Sequence, residues 1–258
     1  MNIYRTDDDT LARVEEAGLN ASAAPQQRLV DGWLVRFSAG KVKRARCVNP
    51  IASGRLPLAR KLALCQQVYD EMQLPMLIRI TPFSQPPGLD DALACLGMPR
   101  MDETCVMVCT DLREGRAPLP EGVEVLPAGA EQLAQTVGAW RGSPLSQRQA
   151  HGLRLANSPV PWSAWLLKAQ GQLVACGQFA LEGDLVGLYD VFTAPAARNL
   201  GYAGALCRHL LVEAAARGAG LAYLQVEADN HPARAVYRRL GFRDAYAYHY
   251  RTPPPAVA

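Results

Sequence analysis

The chain has 258 residues, of which 49% are hydrophobic and 20% charged, with a net charge of +3. That length is comfortable for two domains, and the composition is that of an ordinary globular protein rather than a disordered or fibrous one. Divided near Ala117, the first part carries 15 Lys/Arg against 14 Asp/Glu and the remainder 12 against 10, so charge makes no case for nucleic acid or for an anionic membrane. Along the first part, an Asp31-Gly32 turn introduces a strand over Trp33 to Phe37, and Val42 to Val48 can return as its partner. Leu58, Leu62, Cys65, Val68, Tyr69 and Met72 are spaced as on an amphipathic helix, which the pattern places over Leu56 to Met72. Met76 to Ile80 reads as a short strand, Leu89 to Leu96 as a short helix stopped by Gly97, and Thr104 to Cys109 as a second apolar strand.

Residues 113–120 are polar and rich in Pro and Gly, the composition of a linker. Beyond them the sequence predicts a strand over Val123 to Val125 and a helix over Ala130 to Arg141. Three strands joined by tight turns follow, over Ser163 to Ala169, Gln172 to Leu181 and Leu185 to Thr193. A helix is expected over Leu200 to Arg217, a strand over Ala222 to Ala228, and a helix over Pro232 to Leu240, with Pro in its first turn and Gly241 after its end. Tyr246, Tyr248 and Tyr250 alternate as in a final strand. The seven cysteines are scattered without a Cys-x-x-Cys pair, the start has no apolar signal core, and no apolar run is long enough to span a bilayer. The expectation is a cytoplasmic protein with reduced thiols. His151, His209, His231 and His249 have no metal-binding spacing, so no metal is expected.

The informative stretch runs from Leu188 to Gly204. A strand ends, a Pro-containing loop follows, and Arg198, Gly201, Ala203 and Gly204 then open a helix. Free N–H groups at a helix start favour an anion, and small residues let the backbone approach a bulky one, for which a pyrophosphate is expected. No Gly-Lys-Ser/Thr follows, and the pattern is not that of a dinucleotide fold. On the later helix Ala233, Val236, Tyr237 and Leu240 share a face, so Tyr237 points toward the sheet; periodicity alone makes it a core tyrosine.

Arg198-x-x-Gly201-x-Ala203, followed downstream by Asn230-x-x-Ala233-x-x-x-Tyr237-x-x-x-Gly241-Phe242, resembles the two signature blocks of the GNAT N-acetyltransferase superfamily. The clear match covers about Leu185 to Phe242, with a looser strand pattern back to Val123. The resemblance implies an α/β fold with a mixed sheet splayed at its middle and acetyl-CoA, a co-substrate, in the gap. It implies transfer of the acetyl group to a primary amine of a small molecule or peptide by direct attack, with Tyr237 as general acid toward the departing thiolate. Cofactor contacts would come from the backbone of Val191, Phe192 and Thr193 and from the turn Arg198, Asn199, Leu200, Gly201, Tyr202, Ala203 and Gly204. Asn230 is either a contact for the pantetheine arm, a helix cap, or both. Asp190 is the first choice for a general base and Glu227 a rival; a water chain would dispense with either. A non-catalytic acyl-CoA binding or sensing module is the alternative function.

The segment Asp31 to Phe37 with Lys41 to Pro50 looks similar to the front half of two-domain GNAT-like proteins, in which that half is a degenerate copy of the fold. No Arg-x-x-Gly-x-Gly/Ala turn occurs before Leu112, so no cofactor is expected there. The expected organisation is a degenerate GNAT-like domain over 1–112, a linker over 113–120, a catalytic GNAT domain over 121–252 and a disordered tail over 253–258. The Lys41 to Arg46 run reads as a solvated hairpin or, alternatively, as a grip for an acidic substrate.

Overall fold

The computed structural model describes residues 8–38, 42–112 and 119–254. In chain order the elements are α1 (Asp8–Ala21), β1 (Gln26–Val30), β2 (Trp33–Phe37), β3 (Val48–Pro50), α2 (Leu58–Glu71), β4 (Ile78–Ile80), α3 (Leu89–Cys95) and β5 (Arg100–Cys109). They continue as β6 (Val123–Ala128), α4 (Ala130–Trp140), α5 (Leu145–Ala156), β7 (Trp162–Ala169), β8 (Gln172–Glu182), β9 (Leu185–Thr193), α6 (Tyr202–Ala216), β10 (Leu221–Glu227), α7 (His231–Arg239) and β11 (Arg243–Arg251). Most of the expected linker, the end of the expected tail and Lys41 lie outside the described residues. Two compact units emerge, one of Met1–Ala21 with Val106–Ala245 and one of Ser22–Cys105 with Tyr246–Ala258. No helix among the described residues is long and apolar enough to cross a membrane.

The first unit has strand order β5-β10-β9-β8-β7-β6. Pairing is antiparallel along β6-β7-β8-β9 and parallel between β9 and β10, a mixed sheet. Leu133 and Val137 of α4 and Leu155 of α5 join Ala164, Leu166 and Cys176 in a core on one face, with Phe192 packed against it. The other face takes α6: a Cβ on Gly177 would meet Leu210 at 3.2 Å and Leu206 at 3.3 Å. Helix α7 lies beside α6. Helix α1 covers the face that carries Tyr189 and Tyr223. Its Gly18 approaches so closely that a Cβ there would stand 2.8 Å from Gln225 Nε2 and 3.8 Å from Tyr223. Arg13 pairs with Asp184 at 2.8 Å and Asn20 donates to Glu182 at 3.0 Å, tying the middle and the C-terminal end of α1 to the turn between β8 and β9.

The second unit has strand order β1-β2-β3-β4-β11-β5, with α2 and α3 supplying Leu62, Cys65, Val68, Tyr69, Leu89 and Leu93 to its core. The return strand expected over Val42 to Val48 is shorter than predicted: Lys43–Ala45 forms a 3-10 turn and pairing with β2 falls to β3. The reason is visible in the residues, since adjacent charges at Lys43 and Arg44 break the alternation that a half-buried strand needs. Nor is the run simply solvated. Lys43 pairs with Asp102, and Arg44 Nη1 donates to the Tyr248 hydroxyl at 3.4 Å.

Asp90 of α3 anchors the end of β11, accepting from Arg251 Nε at 2.5 Å and lying 2.8 Å from His249 Nε2. The bond from Arg251 holds the Asp90 carboxyl below the usual carboxylate range against the opposing effect of its partial burial, and His249 adds to it. A carboxyl depressed in the folded state contributes stability above its unfolded value of about 3.9, and that contribution is lost as pH falls through the folded value. Asp90→Asn is therefore expected to lower the melting temperature by a few degrees at neutral pH, with the difference from the parent shrinking below about pH 4. A gap that persists unchanged in acid would rule out the charge as its source.

Candidate active site

The parallel register between β9 and β10 ends at Leu188 with Leu224, although β9 runs on to Thr193 and β10 to Glu227. The two strands part there. On its other edge β9 stays bound to β8, with Thr193 opposite Ala175 and Phe192 opposite Cys176. The edge of Val191 to Thr193 that faces the parting is thus not used by β10, and another extended chain can pair with it there.

Between Cys176 and Gln178 the register shifts: Gly177 on β8 stands opposite both Asp190 and Val191 on β9. This is a β-bulge. Asp190 sits in it at φ +50, in the left-handed region that a short polar side chain tolerates. Its side chain, 12% exposed, accepts from Gln178 Nε2 at 2.7 Å and from Arg141 Nη1 at 3.2 Å. His151 Nε2 lies 3.0 Å from the same carboxylate, a close polar contact whose ring N–H does not line up as a hydrogen bond. Burial opposes the charge on Asp190. The contact with His151 and the cations Arg141 and Arg154 outweigh it and hold the carboxyl well below the ordinary range. A carboxylate so engaged has little affinity for another proton, which weakens the expectation that Asp190 is the general base. Glu227 is exposed at the far end of β10, its carbonyl accepting from Asn230 N at 3.0 Å.

Past Thr193 a turn leads through a short 3-10 segment, Pro195–Ala197, to Arg198 and to Asn199 at φ +62. Gly201, at φ +81, is the N-cap of α6 and offers no side-chain cap. Nothing lies within 4 Å of the position a Cβ on Gly201 would take. The first N–H groups of α6, at Tyr202, Ala203 and Gly204, precede the first helical bond, which runs from Ala205 N to Gly201 O at 3.1 Å. These donors have no partner within the helix and stand at its positive end. Arg198 and Leu200 are exposed in the turn, and the Arg198 guanidinium lies 5.6 Å from the Phe192 ring, which Trp140 stacks on at 6.3 Å.

The first turn of α6 abuts α7, since a Cβ on Gly204 would meet Val236 Cγ1 at 4.0 Å. Tyr237, the next residue, packs edge-on against Phe242 with ring centroids 5.9 Å apart. Burial, with Cys207 adding to it, pushes its phenol well above the ordinary tyrosine range. Its hydroxyl makes no hydrogen bond to any of the described residues. Asn230 caps α7 by accepting from Ala233 N at 3.2 Å. Arg234 and Arg238 both pair with Asp244 at 2.9 Å. Among the described residues no cluster of His, Cys, Asp or Glu could hold a metal ion.

Comparison with known proteins identifies the class to which this arrangement, a mixed sheet parting beside a glycine-led helix start, is similar. Residues 132–242 match the acetyltransferase (GNAT) family. The chain is 25% identical over 252 residues to an uncharacterised N-acetyltransferase of Bacillus subtilis, YobR, covering 94% of this chain and 98% of that protein. It is 35% identical over 142 residues to a mycothiol acetyltransferase of Clavibacter michiganensis subsp. michiganensis, covering 51% of this chain and 46% of that one, so it spans about half the length of that relative. In fold it is similar to a GCN5-related N-acetyltransferase from Kribbella flavida, with TM-score 0.67 at 17% identity over 95% of this chain and 96% of that one. A tandem GNAT protein from the clavulanic acid biosynthesis pathway gives TM-score 0.62 at 14% identity over 77% and 70%. The family match is confined to residues 132–242, whereas the likeness in fold extends over nearly the whole chain.

Proposed function

We propose that the first unit transfers an acetyl group from acetyl-CoA to a primary amine of a small molecule or peptide. The observation that carries this reading is the combination of an open, glycine-led start of α6 with the edge of β9 that β10 leaves beyond Leu188. The first suits a pyrophosphate and the second the amide groups of a pantetheine arm. Held there, acetyl-CoA would supply an activated acyl group. The chain's own residues would do the rest. The turn from Arg198 to Gly204 would hold the phosphates by backbone N–H groups. Val191, Phe192 and Thr193 would align the arm along β9, and the capped start of α7 at Asn230 would fix the helix that carries Tyr237.

Tyr237 is the donor toward the departing sulfur. A phenol above about 10 keeps its proton at neutral pH, whereas a thiol is near 8.5, so full transfer from phenol to thiolate runs uphill. The hydroxyl acts best by donating a short hydrogen bond to the charge as it develops. The acceptor must lose a proton to attack, because a lysine-like amine has a pKa of about 10.4. With the Asp190 carboxylate occupied, that proton leaves through water or Glu227. We read the second unit as a degenerate copy of the fold without a phosphate turn: its α2 starts behind Pro57, with no glycine at the cap.

Calorimetric titration with coenzyme A, followed by an amine screen with thiol-release detection, tests the reading. Binding with turnover on at least one amine is expected. Absence of binding would overturn it, and binding without turnover on any amine class would leave an acyl-CoA sensing module in its place.

A further inference from the structure

Alternation along a strand puts Tyr189 and Val191 on one face and Phe192 on the other. The observed register does not allow that. Tyr189 stands opposite Gln178, Phe192 opposite Cys176, and Gln178 and Cys176 share a face of β8. Tyr189 and Phe192, three residues apart, therefore project to the same side, which only an extra residue in the strand permits. Phe192 reaches the core under α4 and α5 for this reason, while Val191 turns toward Gly177, to whose Cβ position its Cγ2 comes within 3.4 Å. The backbone edge of residues 191–193 is set by the same event.

Something must hold the extra residue in place, because a strand without it would slip by one. Three elements converge on Asp190 to do so: β8 through Gln178, the end of α4 through Arg141, and α5 through His151. The Cys176 thiol also lies 3.7 Å from the Asp190 carbonyl oxygen. Arg141 contacts the bulge twice, once at Asp190 and once over the Phe192 ring at 5.3 Å.

We propose that Asp190 is a positioning residue whose carboxylate, gripped by Gln178, Arg141 and His151, locks the β9 bulge and so sets the 191–193 edge for the acyl donor. The inference rests on the reading of that edge as the donor's binding strand, but the lock itself has a readout in the free protein. Asp190→Asn keeps the size and the tolerance for left-handed backbone while losing the charge that faces Arg141. In the ligand-free variant, amide exchange at Val191, Phe192 and Thr193 is expected to accelerate by about tenfold or more, with exchange in the Leu185–Leu188 part of β9 unchanged. Coenzyme A affinity and KM for acetyl-CoA are expected to weaken by about tenfold or more, while kcat at saturating donor stays within about threefold.

Arg141→Met removes one partner and leaves Asp190 in the bulge. It is expected to move the same readouts in the same direction by less, and it carries the test if Asp190→Asn does not fold. Exchange at 191–193 that matches the parent in a folded variant would sink the lock. Unchanged donor affinity with a fall in kcat of about a hundredfold or more would make Asp190 the general base instead. Failure of the parent protein to bind coenzyme A would count against the proposed function, and the exchange measurement would still decide the lock.

Discussion

Tyr237→Phe is expected to lower turnover by about ten- to a thousand-fold while leaving coenzyme A affinity and thermal stability close to those of the parent. The expectation of unchanged stability follows from the surroundings. The ring, not the hydroxyl, makes the packing contact with Phe242, and the hydroxyl makes no hydrogen bond to the described residues. Removing it leaves no buried partner unsatisfied, so the usual penalty for deleting a buried polar group does not arise. The loss falls on the step in which charge builds on sulfur, so kcat and kcat/KM are expected to drop together. Steady-state kinetics with a competent amine, beside a titration with coenzyme A, makes the measurement. Full turnover in the variant would return Tyr237 to the status of a core tyrosine.

What could be read in the sequence was what is local in the chain. The turn from Arg198 to Gly204 and the block from Asn230 to Phe242 are each contiguous, so glycine, proline and capping residues announce them. The capping role of Asn230 followed from such a pattern, and the parting of the sheet from the family resemblance that the two blocks carry. Helix α1 was not foreseen, and its buried side explains why: Ala17 and Gly18 are too small to mark an apolar stripe, and Glu15 interrupts it. Strand β1 is exposed along nearly all its length and carries no alternation. Helix α5 buries only Gly152 and Leu155 among its twelve residues, so its inner side looks polar in sequence.

The same cause hid the surroundings of Asp190. Arg141, His151 and Gln178 reach it from three elements, two of them far away along the chain, and nothing in local spacing links them. One signal was available. Gln178 stands alone in the apolar run Leu173 to Leu181, and a buried amide in such a strand needs a partner. The division into units also bears on experiment. Residues 8–21 and 106–109 belong with 119–245, so a fragment beginning at Leu119 would strip α1 from Gln225 and Tyr223. The full chain is the right material for assays.

Gly201→Val is expected to abolish coenzyme A binding, a loss of affinity of about a hundredfold or more, in a protein that remains folded. Two effects act together at this position. The backbone is left-handed at φ +81, which a β-branched residue resists at a cost of about 1–3 kcal/mol. Nothing lies within 4 Å of the position its Cβ would take, so the valine side chain projects into the open ground that a pyrophosphate would occupy. Because Gly201 is exposed and no core contact is lost, the strain lowers the melting temperature without unfolding the unit. Gly201→Asn separates the two effects. Asparagine accepts the left-handed conformation yet projects a side chain into the same space. It is expected to melt close to the parent and still to bind coenzyme A poorly. Recovery of affinity in the asparagine variant would assign the loss in the valine variant to backbone strain alone. Undiminished affinity in the valine variant itself would remove the start of α6 as the phosphate site, and with it the observation on which the acetyl-transfer reading stands.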